Sequence, residues 1–160
     1  MILRRRRSHA FERDGDRTAI RLGDDERSML ANLAGQFRAV VADDGDPDLR
    51  RLYPTAYPAD PEPDAASSGL VHDDLVRTRV AAADTVVATA SAASLDADQL
   101  AAWMQVLNGL RLLLGTRLDV SEEDEFDPEA DDAPTRALLS WLGFLLEEAV
   151  VAASADLGDA

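Results

Sequence analysis

The chain has 160 residues, 16 basic against 31 acidic, for a formal net charge of −15, and 46% of it is apolar. That length and apolar fraction suit one domain with a core of ordinary size; the pI is near 4.3. All 16 basic residues are arginine and there is neither lysine nor cysteine, which excludes Schiff-base chemistry, a phosphate-loop lysine, disulfides and thiolate metal sites.

Charge is unevenly spread. Residues 1–22 hold seven arginines against Glu12, Asp14 and Asp16, a balance of +4, which leaves −19 on the remainder. Phosphate neutralisation supplies most nucleic-acid affinity, so direct DNA binding by this acidic body is not expected. The run Arg4-Arg5-Arg6-Arg7 reads as a flexible solvated tail over residues 1–7, able to touch an anion or fold back on the body. Met1-Ile2-Leu3 ahead of four arginines reverses the order of a secretory signal. The longest uncharged stretches are taken as Thr85–Leu95 and Gln99–Leu110, short of the ~20 residues a bilayer requires. No membrane partner and a cytoplasmic location are therefore expected.

The first predicted element is a β-hairpin, because Asp14-Gly15 is a preferred type I′ turn pair. A two-residue loop there pairs Phe11 with Thr18 and His9 with Ile20, with Glu12 opposite Arg17. Gly23 ends this ribbon, and Asp24-Asp25-Glu26 place acids at the positive end of a helix. Leu30, Leu33, Ala34, Phe37, Val40 and Val41 give that helix one apolar stripe up to about Ala42.

Residues 43–69 carry Pro47, Pro54, Pro58, Pro61 and Pro63, each of which removes an amide donor and biases its predecessor away from helix. Within them Asp48–Pro58 combines apolar and aromatic anchors with Arg50 and Arg51, which predicts one long ordered Pro-rich loop followed by a mobile section near Ala59–Ser67. A second helix is expected from about Leu70 to Ala92, capped by Ser67 or Ser68, with Val76, Val80, Ala83, Val87 and Ala90 as its stripe. A third, the natural central helix, runs over about Leu95–Leu114 with Ser94 as N-cap and Gly115 as candidate C-cap. Its stripe is Leu100, Trp103, Met104, Leu107, Leu110 and Leu114, widened by Val106 and Leu113. Asn108-Gly109 is a hairpin dipeptide inside it, and an interior glycine costs roughly 1 kcal/mol against alanine. The leucine spacing on both sides still favours a continuous helix.

Nine acids and no base occupy Asp119–Asp132. Pro134 then suits a first helical turn, and Leu138, Trp141, Leu142, Leu145, Ala149 and Val150 form a fourth stripe ending near Ser154. The expected fold is mainly α: a four-helix bundle with a small N-terminal β-hairpin. The bundle would fill one domain over residues 8–154, with a flexible C-terminus at 155–160.

Catalytic constellations are sparse. The acidic run lacks the central glycine of a calcium loop, and the Asp43–Asp48 run lacks the closing acid. His9 and His72 fall on different elements and in no metal-pair spacing. No serine has a Gly-x-Ser-x-Gly setting and no glycine-rich phosphate loop occurs. No catalytic residue, cofactor or metal site is expected. The informative polar residues are Asn108, Arg111 and Arg117, set among leucines. A guanidinium there must be paired or reach water. It either clamps carboxylates and loop carbonyls or forms an anion or partner site with Arg50, Arg51, Tyr53 and Tyr57.

At these residues a resemblance enters. Asp48-Leu49-Arg50-Arg51-Leu52-Tyr53-Pro54 with Ala56-Tyr57 resembles part of an uncharacterised actinobacterial family catalogued as a domain of unknown function. So does Trp103 followed by Leu107-Asn108, Leu110-Arg111-Leu112 and Leu114-Gly115-Thr116-Arg117-Leu118. The likeness runs from about Phe11 to Val151. Genes of that family typically sit beside the ClpS adaptor of the Clp protease, and some relatives have been proposed as oxidative-stress transcription regulators acting through a cysteine pair and a sigma-factor partner. This chain has no cysteine. The resemblance implies a regulatory or adaptor-like role with a transcription or Clp-protease component as partner.

Two functions from different classes follow. One is a non-enzymatic protein-interaction module that presents the Arg-Tyr loop, residue types enriched at interface hot spots. The other is an enzyme or binder for a small anionic ligand held by Arg50, Arg111 and Arg117 with Asn108. A homodimer through helix stripes wider than a four-helix core needs is a further partner.

Overall fold

A computed structural model describes residues 9–43, 65–118, 129 and 131–155, with the backbone alone at 65–70. Its elements in chain order are β1 (Phe11–Asp14), β2 (Arg17–Ile20), α1 (Asp24–Ala42), α2 (Ala65–Thr89), β3 (Ser94–Leu95), α3 (Ala97–Arg117) and α4 (Ala133–Ser154). The fold is mainly α, as the hydrophobic periodicity predicts. The expected Pro-rich loop and both termini lie outside the described residues.

The ribbon is a three-stranded antiparallel sheet in the order β1-β2-β3 rather than a lone hairpin. Its register differs by two residues from the expected one: Phe11 faces Ile20, Arg13 faces Thr18 and Asp14 faces Arg17. The turn is therefore centred on Gly15-Asp16, with Gly15 at φ +63°, which glycine adopts without a steric penalty. A two-residue shift preserves the faces, since side chains alternate with period two. Phe11, Thr18 and Ile20 are buried, while Glu12 pairs across the outer face with Arg21 rather than Arg17.

Helix α1 has the predicted bounds. The Glu26 side chain accepts from the Gly23 N–H at 3.2 Å, and Leu30, Ala34, Phe37 and Val41 are buried. Helix α2 begins earlier than expected, so Ser67 and Ser68 lie inside it, and it stops at Thr89. Its inward face carries Ala82, Ala83 and Val86, whereas Val87, expected in the stripe, is 47% exposed. Residues past Thr89 leave the helix because other elements hold their backbone. The Ala93 carbonyl accepts from Ile20 N–H at 2.9 Å, and Ser94–Leu95 pairs with Thr18–Ala19 as β3. Leu95 is wholly buried.

Ser94 is thus a strand residue, and Asp96 caps α3. The Asp96 carboxylate accepts from Gln99 N–H at 2.8 Å, and the Gln99 side chain accepts from Asp96 N–H at 2.9 Å; together they form a capping box. Helix α3 is continuous through Asn108-Gly109 and runs past Gly115 to Arg117, so Gly115 is a buried interior residue and not a cap. Close packing explains Gly109. A β-carbon there would lie 2.6 Å from Cζ of Phe37, whose ring fills the place. Trp103, 1% exposed, stacks edge-to-face on Phe11 with ring centroids 5.8 Å apart. Its indole N–H donates to the Thr89 hydroxyl at 2.8 Å.

Arg27 joins the sheet to the bundle. Its guanidinium donates to the carbonyls of Leu22 (2.9 Å), Ala90 (2.9 Å), Ala92 (2.7 Å) and Ile20 (2.9 Å). Around this joint α1 packs on α2, α2 on α3 and α3 on α4, while β1 also touches α4. Among the described residues the last helix packs on α3 and β1 and meets the start of α1.

Candidate interaction surface

Helix α4 begins with Pro134 in its first turn, where the missing amide costs nothing. Its middle, Ala137–Leu146, carries no charged residue. Its 18-residue hydropathy maximum averages 1.5, which by length and composition suffices to cross a membrane, contrary to the reading from uncharged stretches. Of that stretch 22% is buried. Here Leu142, Leu145, Ala149 and Ala152 pack into the core.

The opposite side of α4 faces solvent. Phe144 is 47% exposed and Val151 62%, with Val150 exposed as well; Val150 was expected in the buried stripe. Ala137 is exposed and Trp141 half-buried, so Ala137, Trp141 and Phe144 form one ridge at i, i+4 and i+7, and Glu148 at i+11 separates it from Val151 at i+14. The start of this ridge meets the start of α1 in a cavity of about 290 Å³ lined by Glu26, Met29, Pro134, Ala137, Leu138 and Trp141. Met29 is 48% exposed.

One ionic group stands on this face and another lies to its side. Nδ1 of His9 lies 3.1 Å from a carboxylate oxygen of Glu148, which joins the chain ahead of β1 to the middle of α4. To the side the Arg111 side chain lies over Gly143: a β-carbon at residue 143 would be 3.4 Å from its Nε. Arg111 is half-buried, and the clamp expected of it, to a carboxylate or carbonyl, does not form among the described residues.

A family model described as a domain of unknown function, DUF2017, matches residues 8–153. The chain belongs to this family. No curated protein matches the chain, and no solved structure does.

Within the DUF2017 domain the residues singled out from the sequence divide. Arg50, Arg51, Tyr53 and Tyr57 lie outside the described residues. Asn108 is exposed on α3, Arg111 faces α4, and Arg117 is exposed in the last turn of α3. Six residues of α-helix separate the two arginines, about 9 Å along the axis and about 120° around it, so α3 directs them to different sides. Among the described residues no three His, Asp or Glu side chains are grouped to hold a metal ion. Arg27 and the Phe144–Val151 face were not singled out. Arg27 looks like an ordinary polar position in an amphipathic helix, and the outer face of α4 mixes Phe144 and Val151 with Ser140 and Glu147.

Proposed function

We propose that the protein is a non-enzymatic interaction module that binds another protein through the outward face of α4. The supporting observation is the exposure of Phe144 and Val151 on the same helix that buries Leu142, Leu145 and Ala149. Contiguous exposed apolar ridges are uncommon on monomeric surfaces and mark contact sites. Aromatic residues such as Trp141 and Phe144 are enriched where binding energy concentrates. The resemblance noted over Asp48–Tyr57 and Trp103–Leu118 adds a regulatory setting, with a transcription or Clp-protease component as partner.

In-cell photo-crosslinking tests this reading. A photoreactive residue at position 144 or 151 should capture the same protein, and one at the exposed Gln105 of α3 should not. Equal capture from all three positions, or none from 144 and 151, overturns it.

Arg111 supports a second reading, a site for a small anionic ligand. Its guanidinium is half-buried on α4 and makes no hydrogen bond or ion pair among the described residues. A thermal-shift screen with phosphates and carboxylates would then give stabilisation that Arg111→Gln abolishes.

A further inference from the structure

Resting on the interaction-module reading, we propose that the cavity between the starts of α1 and α4 receives an amphipathic helical segment of another protein, with apolar anchors flanked by arginine or lysine. The lining sets the apolar half of that description. Met29, Pro134, Ala137, Leu138 and Trp141 offer it no cation and no amide, and Glu26 is the one ionisable residue among the six. At about 290 Å³ the cavity is at the small end for a cofactor or drug-sized ligand and suits one or two inserted side chains. The cavity lies at the start of the ridge, where Ala137 to Phe144 span about 10 Å at 1.5 Å per residue. An extended row of anchors fits a helix laid along that length, read at i, i+3 or i+4, and i+7.

Charge decides among occupants. Glu26 lines the cavity, Asp25 precedes it in the first turn of α1, and Asp131 and Asp132 immediately precede α4, while Asp24 faces a different cavity with Arg27. Two cations lie close in sequence, and both have partners: Arg136 pairs with Asp132 at 2.9 Å, and Arg27 is bound to four carbonyls away from the cavity. The helix N-termini contribute about half a positive charge each, less than the acids around them. A second copy would bring an identical acidic rim against this one, on a chain that carries −15 overall. An anionic lipid surface would be repelled likewise. A basic-flanked segment gains attraction on both flanks and steering from the whole field.

The test uses the full chain and two fluorescein-labelled 18-residue peptides with identical leucine spacing, one flanked by arginines and the other by glutamates. The basic peptide should bind about tenfold or more tighter than the acidic one, and its affinity should fall as salt rises. Ala137→Arg should weaken it about tenfold, whereas Gln105→Arg, the same charge change on α3, should leave it within about twofold. Circular dichroism checks folding, and Met29→Arg replaces Ala137→Arg if the latter unfolds. Equal binding of both peptides, no binding of either, or equal effects of the two substitutions overturns the proposal.

Two further outcomes also overturn it by naming another occupant. A concentration-dependent dimer abolished by Ala137→Arg assigns the cavity to a second copy. Tenfold tighter peptide binding when Arg4–Arg7 are replaced by serine assigns it to the chain's own beginning. If crosslinks from positions 144 and 151 persist while the basic peptide fails, the interaction reading stands and the partner chemistry proposed here falls.

Discussion

Phe37 and Gly109 are fitted to each other across the α1–α3 contact. A β-carbon at residue 109 would lie 2.6 Å from Cζ and 2.8 Å from Cε2 of the Phe37 ring, and that ring is 1% exposed. It cannot swing into solvent without opening the core. Gly109→Ala therefore loses more by overpacking than the roughly 1 kcal/mol it gains in helix propensity. Net destabilisation of about 1–2 kcal/mol is expected by urea titration. Gly35, on the exposed side of α1 with nothing near its missing β-carbon, should behave oppositely. Gly35→Ala should raise stability by about 0.5–1 kcal/mol.

Arg27 should be far costlier to replace than an ordinary surface arginine. Four carbonyls from Ile20, Leu22, Ala90 and Ala92 depend on one planar fork. Arg27→Met should destabilise by about 2–4 kcal/mol, because carbonyls at the end of α2 and the edge of the sheet lose their donors. Arg27→Lys keeps the charge but not the fork and should recover under half of that loss. Arg77, exposed beside Asp74 at 2.6 Å, provides the contrast: Arg77→Met should change chemical denaturation by less than about 0.5 kcal/mol.

Thr89→Val isolates a buried hydrogen bond. The Thr89 hydroxyl accepts from the Trp103 indole at 2.8 Å and donates to the Thr85 carbonyl at 2.6 Å. An isosteric methyl leaves the buried indole N–H without an acceptor, which costs about 1–3 kcal/mol. Tryptophan fluorescence during unfolding measures it.

The cap of α3 is testable by paired substitutions. Asp96→Ala should cost about 1 kcal/mol. Ser94→Ala should cost less, since its hydroxyl only accepts from Arg17 at 2.7 Å on an exposed edge. Thermal melts of the two variants decide the order.

Where the sequence was legible, a local signal and the tertiary context agreed. Asp24-Asp25-Glu26 opens α1 and Ala42 closes it because acids at one end and the Asp-Gly-Asp-Pro run at the other point the same way. The start of α3 lies two residues beyond the Ser94 cap that the sequence suggests, although Asp96 and Gln99 have capping-box spacing. The hairpin register was not decidable locally. Asp14-Gly15 and Gly15-Asp16 both make acceptable turns, and backbone bonds to Ala10 and Ala93 choose between them. Gly115 does not end α3, because a C-cap glycine takes the left-handed region and Gly15 is the positive-φ glycine among the described residues. The outward face of α4 was illegible for a topological reason. A stripe of leucines does not say which neighbours a helix will have, and among the described residues these are α3, β1 and the start of α1. The loop residues Arg50, Arg51, Tyr53 and Tyr57 lie outside the described residues.

The short third strand ties distant parts of the chain together in time as well as in space. Thr18 and Leu95 are paired partners 77 positions apart, so this bridge cannot close until α1 and α2 have brought the two regions near each other. A contact of such long range is entropically expensive before the helices dock and nearly free afterwards. The amino-terminal ribbon should therefore gain protection against hydrogen exchange late in folding, in step with the α2–α3 junction. Its amides then serve as a clock for completion of the bundle, since Leu95, Ala93 and the carbonyls held by Arg27 are all assembled at that last stage.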